Sequence, residues 1–230
     1  KGVSLGHCRL AIIDLTDAGH QPMADPGKRY WITFNGEIYN YLEIGEELRG
    51  LGFEFQGRSD TEVLLAAFRH WGIKCLEHLR GMFAFAIWDE QTGCLFAARD
   101  RLGIKPFHYW QSGNNQFAFS SELKALLDFL PSRNPNIKLA QQFLAWNLID
   151  HEPTETMVSE INRLPPAHAL IWRKGHPLEI WRYWELKVND DFRVSPEVEK
   201  RLIEEFRPRF EEAVGLHLRS DVSVGTCLSG

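Results

Sequence analysis

The sequence lacks the cysteine and histidine patterns that build disulfide frameworks or metal sites. Its four cysteines, at positions 8, 75, 94 and 227, lie far apart and form no CxxC pair. This scatter predicts neither a disulfide framework nor a zinc site. The nine histidines show no ligand spacing on a shared face, so we expect no metal ion in this segment. A reducing, cytoplasmic setting is the default expectation.

Long apolar runs and a surplus of basic residues are also missing. No apolar stretch approaches the ~20 residues of a membrane-spanning helix, and no secretory signal opens the chain. The net charge of −5 indicates no basic face for nucleic acid. We therefore expect neither a membrane nor a nucleic acid as a partner.

The chain does have the material for a sizeable core, because 44% of its 230 residues are hydrophobic. Apolar runs bounded by turn signals predict strands, and amphipathic runs with capping residues predict helices. The predicted strands are 10–13, 30–34, 53–56, 82–88, 94–98, 107–110, 116–119, 167–172 and 180–184. The predicted helices are 41–51, 61–71, 122–130, 137–148 and 196–218.

A polar stretch at 187–194 divides the chain. We place a domain boundary there, with a first domain at 1–190 and the beginning of a second at 195–230. The chain starts almost directly in a strand-like run and stops in a Ser-Gly turn, so we expect it to be an internal segment of a longer protein.

Asn35 and Gly36 follow an apolar run and allow two interpretations. An asparagine amide beside a glycine can supply donors for a developing oxyanion, which needs two groups about 3 Å away. The same dipeptide is also a strong hairpin-turn signal. The dipeptide alone favours the turn.

Three charged side chains also have alternative roles. Arg9 lies in a predicted apolar strand and needs an anionic partner, either a substrate carboxylate or an acid such as Asp14. Asp60 can hold a substrate ammonium or cap the helix that follows it. Glu37 is either part of the same binding site or a surface carboxylate.

Two further turns are ambiguous. The Ser-Gly turn at Leu228, Ser229 and Gly230 can hold a phosphate with backbone N–H groups, although so short a motif favours an ordinary turn. The charged segment 99–106 is typical of a solvated loop when taken alone.

In combination, these segments resemble the glutamine-hydrolysing asparagine synthetases and, more broadly, the class II glutamine amidotransferases. The motifs occur in that family's order over nearly the whole chain. They are His7–Leu15, Gly19–Met23, Phe34–Asn40, Ser59–Val63, Gly81–Ala86, Arg99–Pro106, Ser120–Leu126, Arg219–Val222 and Leu228–Gly230.

The resemblance implies an α+β fold in which an Ntn-hydrolase four-layer αββα sandwich precedes the start of an α/β ATP-pyrophosphatase synthetase domain. It implies a ligase that hydrolyses L-glutamine and sends the ammonia through an internal tunnel. The ammonia then attacks L-aspartate that ATP has adenylated with Mg²⁺ in the synthetase domain. No cofactor is implied for the glutaminase domain, and a homodimer is one option for its assembly.

The resemblance also assigns roles to residues. Arg9 would bind the glutamine α-carboxylate, and the backbone of Leu10, Ala11, Ile12 and Ile13 would contact the substrate. Asn35 and Gly36 would form the oxyanion hole. Asp60, with the Glu37 segment, would bind the α-amino group. Leu228, Ser229 and Gly230 would begin the pyrophosphate-binding loop.

One departure limits the expected activity of this segment. The family nucleophile is a cysteine at the amino terminus whose own amine acts as the base, and the first residue here is Lys1. We therefore expect this segment alone to be inactive. The alternatives are a class II relative with another acceptor, such as a β-lactam synthetase, or a non-catalytic glutaminase-like domain.

Overall fold

The computed structural model of the chain describes residues 2–113, 115–188 and 195–225. The chain divides into two compact units, each assembled from three separate segments. The first unit consists of Lys1–Cys8, Gln21–Ile38 and Gly81–Glu185. The second consists of Arg9–His20, Tyr39–Arg80 and Leu186–Gly230.

The first unit is built on two antiparallel sheets. The strands are β1 (Met23–Ala24), β2 (Tyr30–Ile38), β3 (Gly81–Asp89), β4 (Cys94–Arg99), β5 (His108–Ser112), β6 (Gln116–Ser120), β7 (Asn162–Arg163), β8 (His168–Arg173) and β9 (Glu179–Arg182). The larger sheet has six strands in the order β1-β2-β3-β4-β8-β9, and the smaller has three in the order β6-β5-β7.

The strand pairs predicted from local patterns are confirmed. β3 pairs with β4, β5 with β6, and β8 with β9, each antiparallel. All five residues from Phe83 to Ile87 are buried, as expected of a run without polar alternation. The predicted helices of this unit appear as a 3₁₀ helix at Leu123–Phe129 and an α-helix at Ile137–Trp146 (α4 below).

The charged segment 99–106, which taken alone is typical of a solvated loop, begins with two buried charges. Arg99 and Asp100 are buried, at 8% and 1% exposure. The Arg99 guanidinium donates to the carbonyl oxygens of Gly103, Lys105 and Leu164. The Asp100 carboxylate accepts from the backbone N–H groups of Phe83, Leu102, Ile104 and Lys105. Because backbone groups surround both charges, they can be buried without a large penalty.

The second unit is helical. Its helices are α1 (Tyr41–Gly50), α2 (Asp60–Trp71), α3 (Cys75–His78) and α5 (Pro196–His217). Ser59 caps α2, because its hydroxyl accepts from the Glu62 N–H, and Gly72 ends it at φ 59°. Ser195 caps α5, which continues through Pro208. No helix in the described ranges has the length and apolarity needed to cross a bilayer.

The strands predicted at 10–13 and 53–56 do not form. Residues 9–20 contain only a 3₁₀ turn at Asp17–Gly19, and Leu10 is 83% exposed. The backbone of this segment bonds to the side chains of Arg9 and Asp221 and to the Asp221 N–H, and not to a neighbouring strand, as described below. We call residues 9–20 the Arg9 loop.

Candidate functional site

Asn35 and Gly36 lie inside β2 and not in a turn. The strand pairs with β3 along its whole length, from Tyr30 opposite Asp89 to Ile38 opposite Gly81. Gly36 has φ 145°, and a β-carbon added there would lie 2.0 Å from the Met82 carbonyl oxygen. Only glycine permits this approach of the two strands.

The backbone of β2 next to Asn35 is held by side chains. The short strand β1 reaches only Trp31 and Ile32 of β2. Further along, the Phe34 N–H donates to Gln21 Oε1 at 2.7 Å, and the Phe34 carbonyl oxygen lies 3.0 Å from His7 Nε2. These contacts pair the outward-facing N–H and carbonyl groups of Phe34 and fix the peptide group that precedes Asn35.

The side-chain amide of Asn35 is also oriented by a neighbour. Its Nδ2 donates to Ser121 Oγ at 3.1 Å. The Ser121 carbonyl oxygen lies 3.2 Å from His108 Nδ1. Burial and the nearby Arg163 lower the pKa of His108, which favours the neutral ring. Since an amide has two hydrogens, the second one of Asn35 can serve a ligand.

In the second unit, the Arg9 guanidinium is held by the carbonyl oxygens of its own loop. Nη1 donates to Thr16 at 3.0 Å, and Nη2 donates to Ile13 at 3.0 Å and also to Asp14. The guanidinium lies against Gly19, where a β-carbon would be 2.0 Å from Nη2. Among the described residues, no carboxylate forms an ion pair with Arg9, so its charge can bind an anion.

Asp14 does not pair with Arg9 but fastens the Arg9 loop. Its Oδ1 accepts from the Thr16 hydroxyl and N–H, and its Oδ2 accepts from the Arg58 N–H at 2.7 Å. Burial acts to raise the pKa of Asp14, but these hydrogen bonds and the Arg9 charge outweigh it, so the pKa lies below its usual value. An ionised Asp14 therefore ties the loop to the start of α2.

Asp60 is the first residue of α2 and is 5% exposed. It is not the helix cap, because Ser59 fills that position. A carboxylate in the first turn is stabilised by the positive end of the helix dipole. Burial raises the pKa of Tyr41, and the negative charges of Asp221 and Asp60 raise it further. The Tyr41 hydroxyl therefore experiences the charge of Asp60.

The predicted site residues thus fall into two groups. Asn35, Gly36 and Glu37 are consecutive on β2 in the first unit, where Glu37 is 8% exposed. Residues 9–13 and Asp60 belong to the second unit, where the bond from Arg58 to Asp14 brings the Arg9 loop to the start of α2. The predicted phosphate-binding residues Leu228, Ser229 and Gly230 lie outside the described residues.

Sequence reasoning missed the residues that support these groups. Gln21, Ser121 and Asp14 act through bonds to residues 13, 86 and 44 positions away, respectively. Gln21, Ser121 and Asp14 all stand in motifs quoted for the family resemblance. Their position in a motif was therefore the available sign that these residues matter. It did not indicate which residues they would bond to.

Comparison with known families identifies the domain. Residues 1–184 match the family model described as a glutamine amidotransferase domain. The chain belongs to this family. The match confirms the family resemblance found in the sequence.

Curated relatives of this glutamine amidotransferase domain are much longer proteins. The chain is 42% identical to "Asparagine synthetase [glutamine-hydrolyzing] 3" of Bacillus subtilis, with 99% of the chain and 36% of the relative covered. It is 36% identical to "Amidase chry2" of Gibberella zeae, with 99% and 33% covered. The chain spans about a third of the length of these relatives.

A solved structure with the same fold is that of the glutamine phosphoribosylpyrophosphate amidotransferase from B. subtilis. The TM-score is 0.55 at 20% sequence identity, over 80% of this chain and 35% of the other. At this identity the likeness shows the fold alone. It confirms the predicted α+β, Ntn-hydrolase fold, and the family match identifies the domain as a glutamine amidotransferase domain.

Proposed function

We propose that this chain is the glutamine-hydrolysing domain of a glutamine-dependent asparagine synthetase. The observation that carries the proposal is the family match over residues 1–184. The B. subtilis relative supports the finer assignment, because its name combines glutamine hydrolysis with asparagine synthesis.

In this proposal, Arg9 and Asp60 bind the two charged ends of glutamine. The guanidinium of Arg9 is already fixed by three carbonyl oxygens, and its remaining N–H groups, on Nε and Nη1, are left to donate to the α-carboxylate. Asp60 binds the α-ammonium together with the Glu37 segment. The backbone of residues 10–13 contacts the rest of the substrate. A preorganised cation loses little side-chain entropy on binding.

Asn35 and Gly36 stabilise the oxyanion in the chemical step. A cysteine thiolate, supplied by the full-length protein at its amino terminus, attacks the side-chain amide carbon of glutamine. The carbonyl electrons move to oxygen, where the Asn35 amide and the Gly36 N–H donate hydrogen bonds. The cysteine amine, which took the thiol proton, gives it to the leaving nitrogen as the C–N bond breaks, and ammonia departs. Water then hydrolyses the thioester to glutamate and returns the thiol.

The ammonia then reacts with an acceptor bound to a second domain. We propose that the acceptor is L-aspartate adenylated by ATP and Mg²⁺. We also propose that the second domain begins at 195–230 and that its pyrophosphate loop begins with Leu228, Ser229 and Gly230. Support for this half comes from the name of the relative, since those three residues lie outside the described part. A homodimer in the reducing cytoplasm is the working assembly.

A second candidate function differs only in the acceptor. The relative named "Amidase chry2" is 36% identical over 99% of the chain, so this domain type also occurs outside proteins named asparagine synthetases. The non-catalytic alternative is less well supported, because Arg9, Asn35, Gly36 and Asp60 are all retained. Measuring glutamate release distinguishes a catalytic domain from a non-catalytic one. Identifying the products formed with several acceptors distinguishes an asparagine synthetase from an enzyme with another acceptor.

The direct test is Arg9→Ala in the full-length protein. We expect the KM for glutamine to rise roughly 100-fold, since a charge-assisted pair is lost. Asparagine synthesis from added ammonia should be unchanged, because ammonia bypasses the glutamine site. Glutamate release and asparagine formation are measured with either nitrogen source. Equal KM values for glutamine in wild type and Arg9→Ala would show that Arg9 does not belong to the glutamine site.

A further inference from the structure

The segment that follows α5 contacts the Arg9 loop through Asp221. The Asp14 N–H donates to Asp221 Oδ2 at 2.8 Å, and the Asp221 N–H donates to the Ile12 carbonyl oxygen at 2.9 Å. These two bonds run in opposite directions and grip the backbone on both sides of Ile13. Asp221 is 207 residues from Asp14 in sequence.

The first of these bonds acts on the same peptide group that holds Arg9. The N–H of the Ile13–Asp14 peptide donates to the Asp221 carboxylate, and its carbonyl oxygen accepts from the Arg9 guanidinium. A peptide group between a carboxylate and a guanidinium is polarised in one direction, so each hydrogen bond strengthens the other. Losing the carboxylate therefore weakens the support of the guanidinium.

The loop needs this support because of its backbone conformation at Asp14. This residue has φ 54°, in the left-handed region that non-glycine residues avoid. The Asp14 carboxylate holds Thr16 and Arg58, and external bonds to the Asp14 backbone add to these in opposing a return to a relaxed conformation. Asp221 supplies such a bond.

The segment that carries Asp221 is anchored by Arg219, two residues earlier in the chain. Arg219 makes a two-pronged ion pair with Glu43 of α1, at 2.5 and 2.6 Å, and Nη1 also donates to the Tyr39 carbonyl oxygen. The hydrogen bonds from Arg219 lower the pKa of Glu43, and those to Glu43 raise the pKa of Arg219. Both charges persist near neutral pH, so the segment 219–221 is fixed at one end to α1.

We propose that Asp221 is a positioning residue for glutamine binding. Its carboxylate holds the Ile13–Asp14 peptide, and through it the Arg9 guanidinium, in the geometry that binds the α-carboxylate. This role rests on the proposed function of Arg9. Because Asp221 lies beyond α5, any movement of the segment 219–221 changes the affinity for glutamine without touching the substrate.

The test compares Asp221→Ala with Asp221→Asn in the full-length protein. We expect Asp221→Ala to raise the glutamine KM roughly tenfold, the effect of one charge-assisted hydrogen bond. The kcat and the ammonia-dependent rate should stay within about twofold of wild type. Asp221→Asn keeps an oxygen acceptor and should restore most of the affinity. Asp17→Ala removes a similar charge from the Arg9 loop itself and should behave as wild type.

Hydrogen exchange gives a second readout that does not depend on glutamine. The Asp14 amide should exchange faster in Asp221→Ala than in wild type or Asp221→Asn. A wild-type KM together with wild-type exchange at Asp14 would overturn the proposal, and so would a parallel loss of ammonia-dependent activity. A wild-type protein that releases no glutamate would instead overturn the proposed function, while faster exchange would still establish that Asp221 holds the loop.

Discussion

At the scale of single residues, two glycines have different physical roles. The backbone of Gly36 packs directly against the backbone of β3. A β-carbon at this position would lie 2.0 Å from the Met82 carbonyl oxygen. Gly19 lies where backbone meets the end of a flexible side chain, the Arg9 guanidinium. Alanine at the first position must distort a sheet, whereas alanine at the second only has to displace a side chain.

We therefore predict that Gly36→Ala destabilises the fold by about 2–4 kcal/mol, since it combines a strained φ with a backbone clash. Gly19→Ala should change stability by less than about 1 kcal/mol but raise the glutamine KM severalfold. Denaturant unfolding and glutaminase kinetics measure the two effects. Gly6→Ala is the control, because a β-carbon there meets nothing within 4 Å. Equal stability of Gly36→Ala and Gly6→Ala would refute the steric argument.

The oxyanion role of Asn35 leads to a second prediction at this scale. Asn35→Ala should lower the kcat of glutamine hydrolysis by about two to three orders of magnitude, the usual loss for one oxyanion donor. Ser121→Ala should have a smaller effect, about three- to tenfold, because it removes only the bond that orients the amide. Single-turnover glutamate release measures both. A near-normal rate in Asn35→Ala would remove it from the oxyanion hole.

At the scale of secondary-structure elements, the turn after β4 is organised by one buried carboxylate. Asp100 is 1% exposed and accepts four backbone N–H groups, one of which comes from β3. An asparagine at this position would replace one carboxylate oxygen with an amide NH2 group. This donor would face backbone N–H groups, which are also donors. The cost is that of leaving buried groups without partners.

Asp100→Asn should therefore lower the free energy of unfolding by about 2–4 kcal/mol. The matched control is Asp128→Asn, since the Asp128 side chain is 90% exposed and its ion pair with Arg133 is on the surface. That variant should stay within about 0.5 kcal/mol of wild type. Thermal and denaturant unfolding provide the comparison. A stable Asp100→Asn protein would mean that the turn does not depend on the Asp100 carboxylate.

The elements differ in how far the sequence could predict them. The hairpins β3–β4 and β5–β6 were predictable because apolar runs and the turns between them are local signals. Asn35 and Gly36 were not predictable as strand residues, because their pairing with β3 overrides a strong local turn signal. The segment 10–13 was apolar enough to predict a strand, yet its carbonyl oxygens accept from the Asp221 N–H and from the Arg9 side chain and not from a neighbouring strand.

The residues proposed for the candidate site were chosen from the sequence and stay a prediction, whereas the residues that support them could not be chosen from it. The chemistry of Arg9, Asn35 and Asp60 suggested binding and oxyanion roles, and the family motifs favoured these over the ordinary alternatives. The bonds from Asp14 to Arg58 and from Asp221 to Asp14 cross 44 and 207 residues. No local pattern specifies such pairs, because neither partner needs the other for its own secondary structure.

At the scale of the whole molecule, ionised carboxylates make stability depend on pH. The hydrogen bond from Arg29 holds the pKa of Asp89 at about 2, and Asp14 also has a lowered pKa. A group whose pKa is lower in the folded state stabilises that state above its unfolded pKa of about 3.9. This stability is lost as the pH falls through the folded pKa.

We therefore predict that the free energy of unfolding is nearly constant from about pH 7 to 5 and falls steeply between about pH 4 and 2. Asp89→Asn should be less stable at pH 7 by about 1–2 kcal/mol, a discounted value because the Arg29 side chain is 42% exposed. The same variant should lose less stability on acidification, since it cannot titrate at that position. Denaturant unfolding across this pH range measures both slopes, with Asp128→Asn as the control for removing an exposed charge. Parallel curves for wild type and Asp89→Asn would show that the pair with Arg29 does not contribute to the acid sensitivity of the fold.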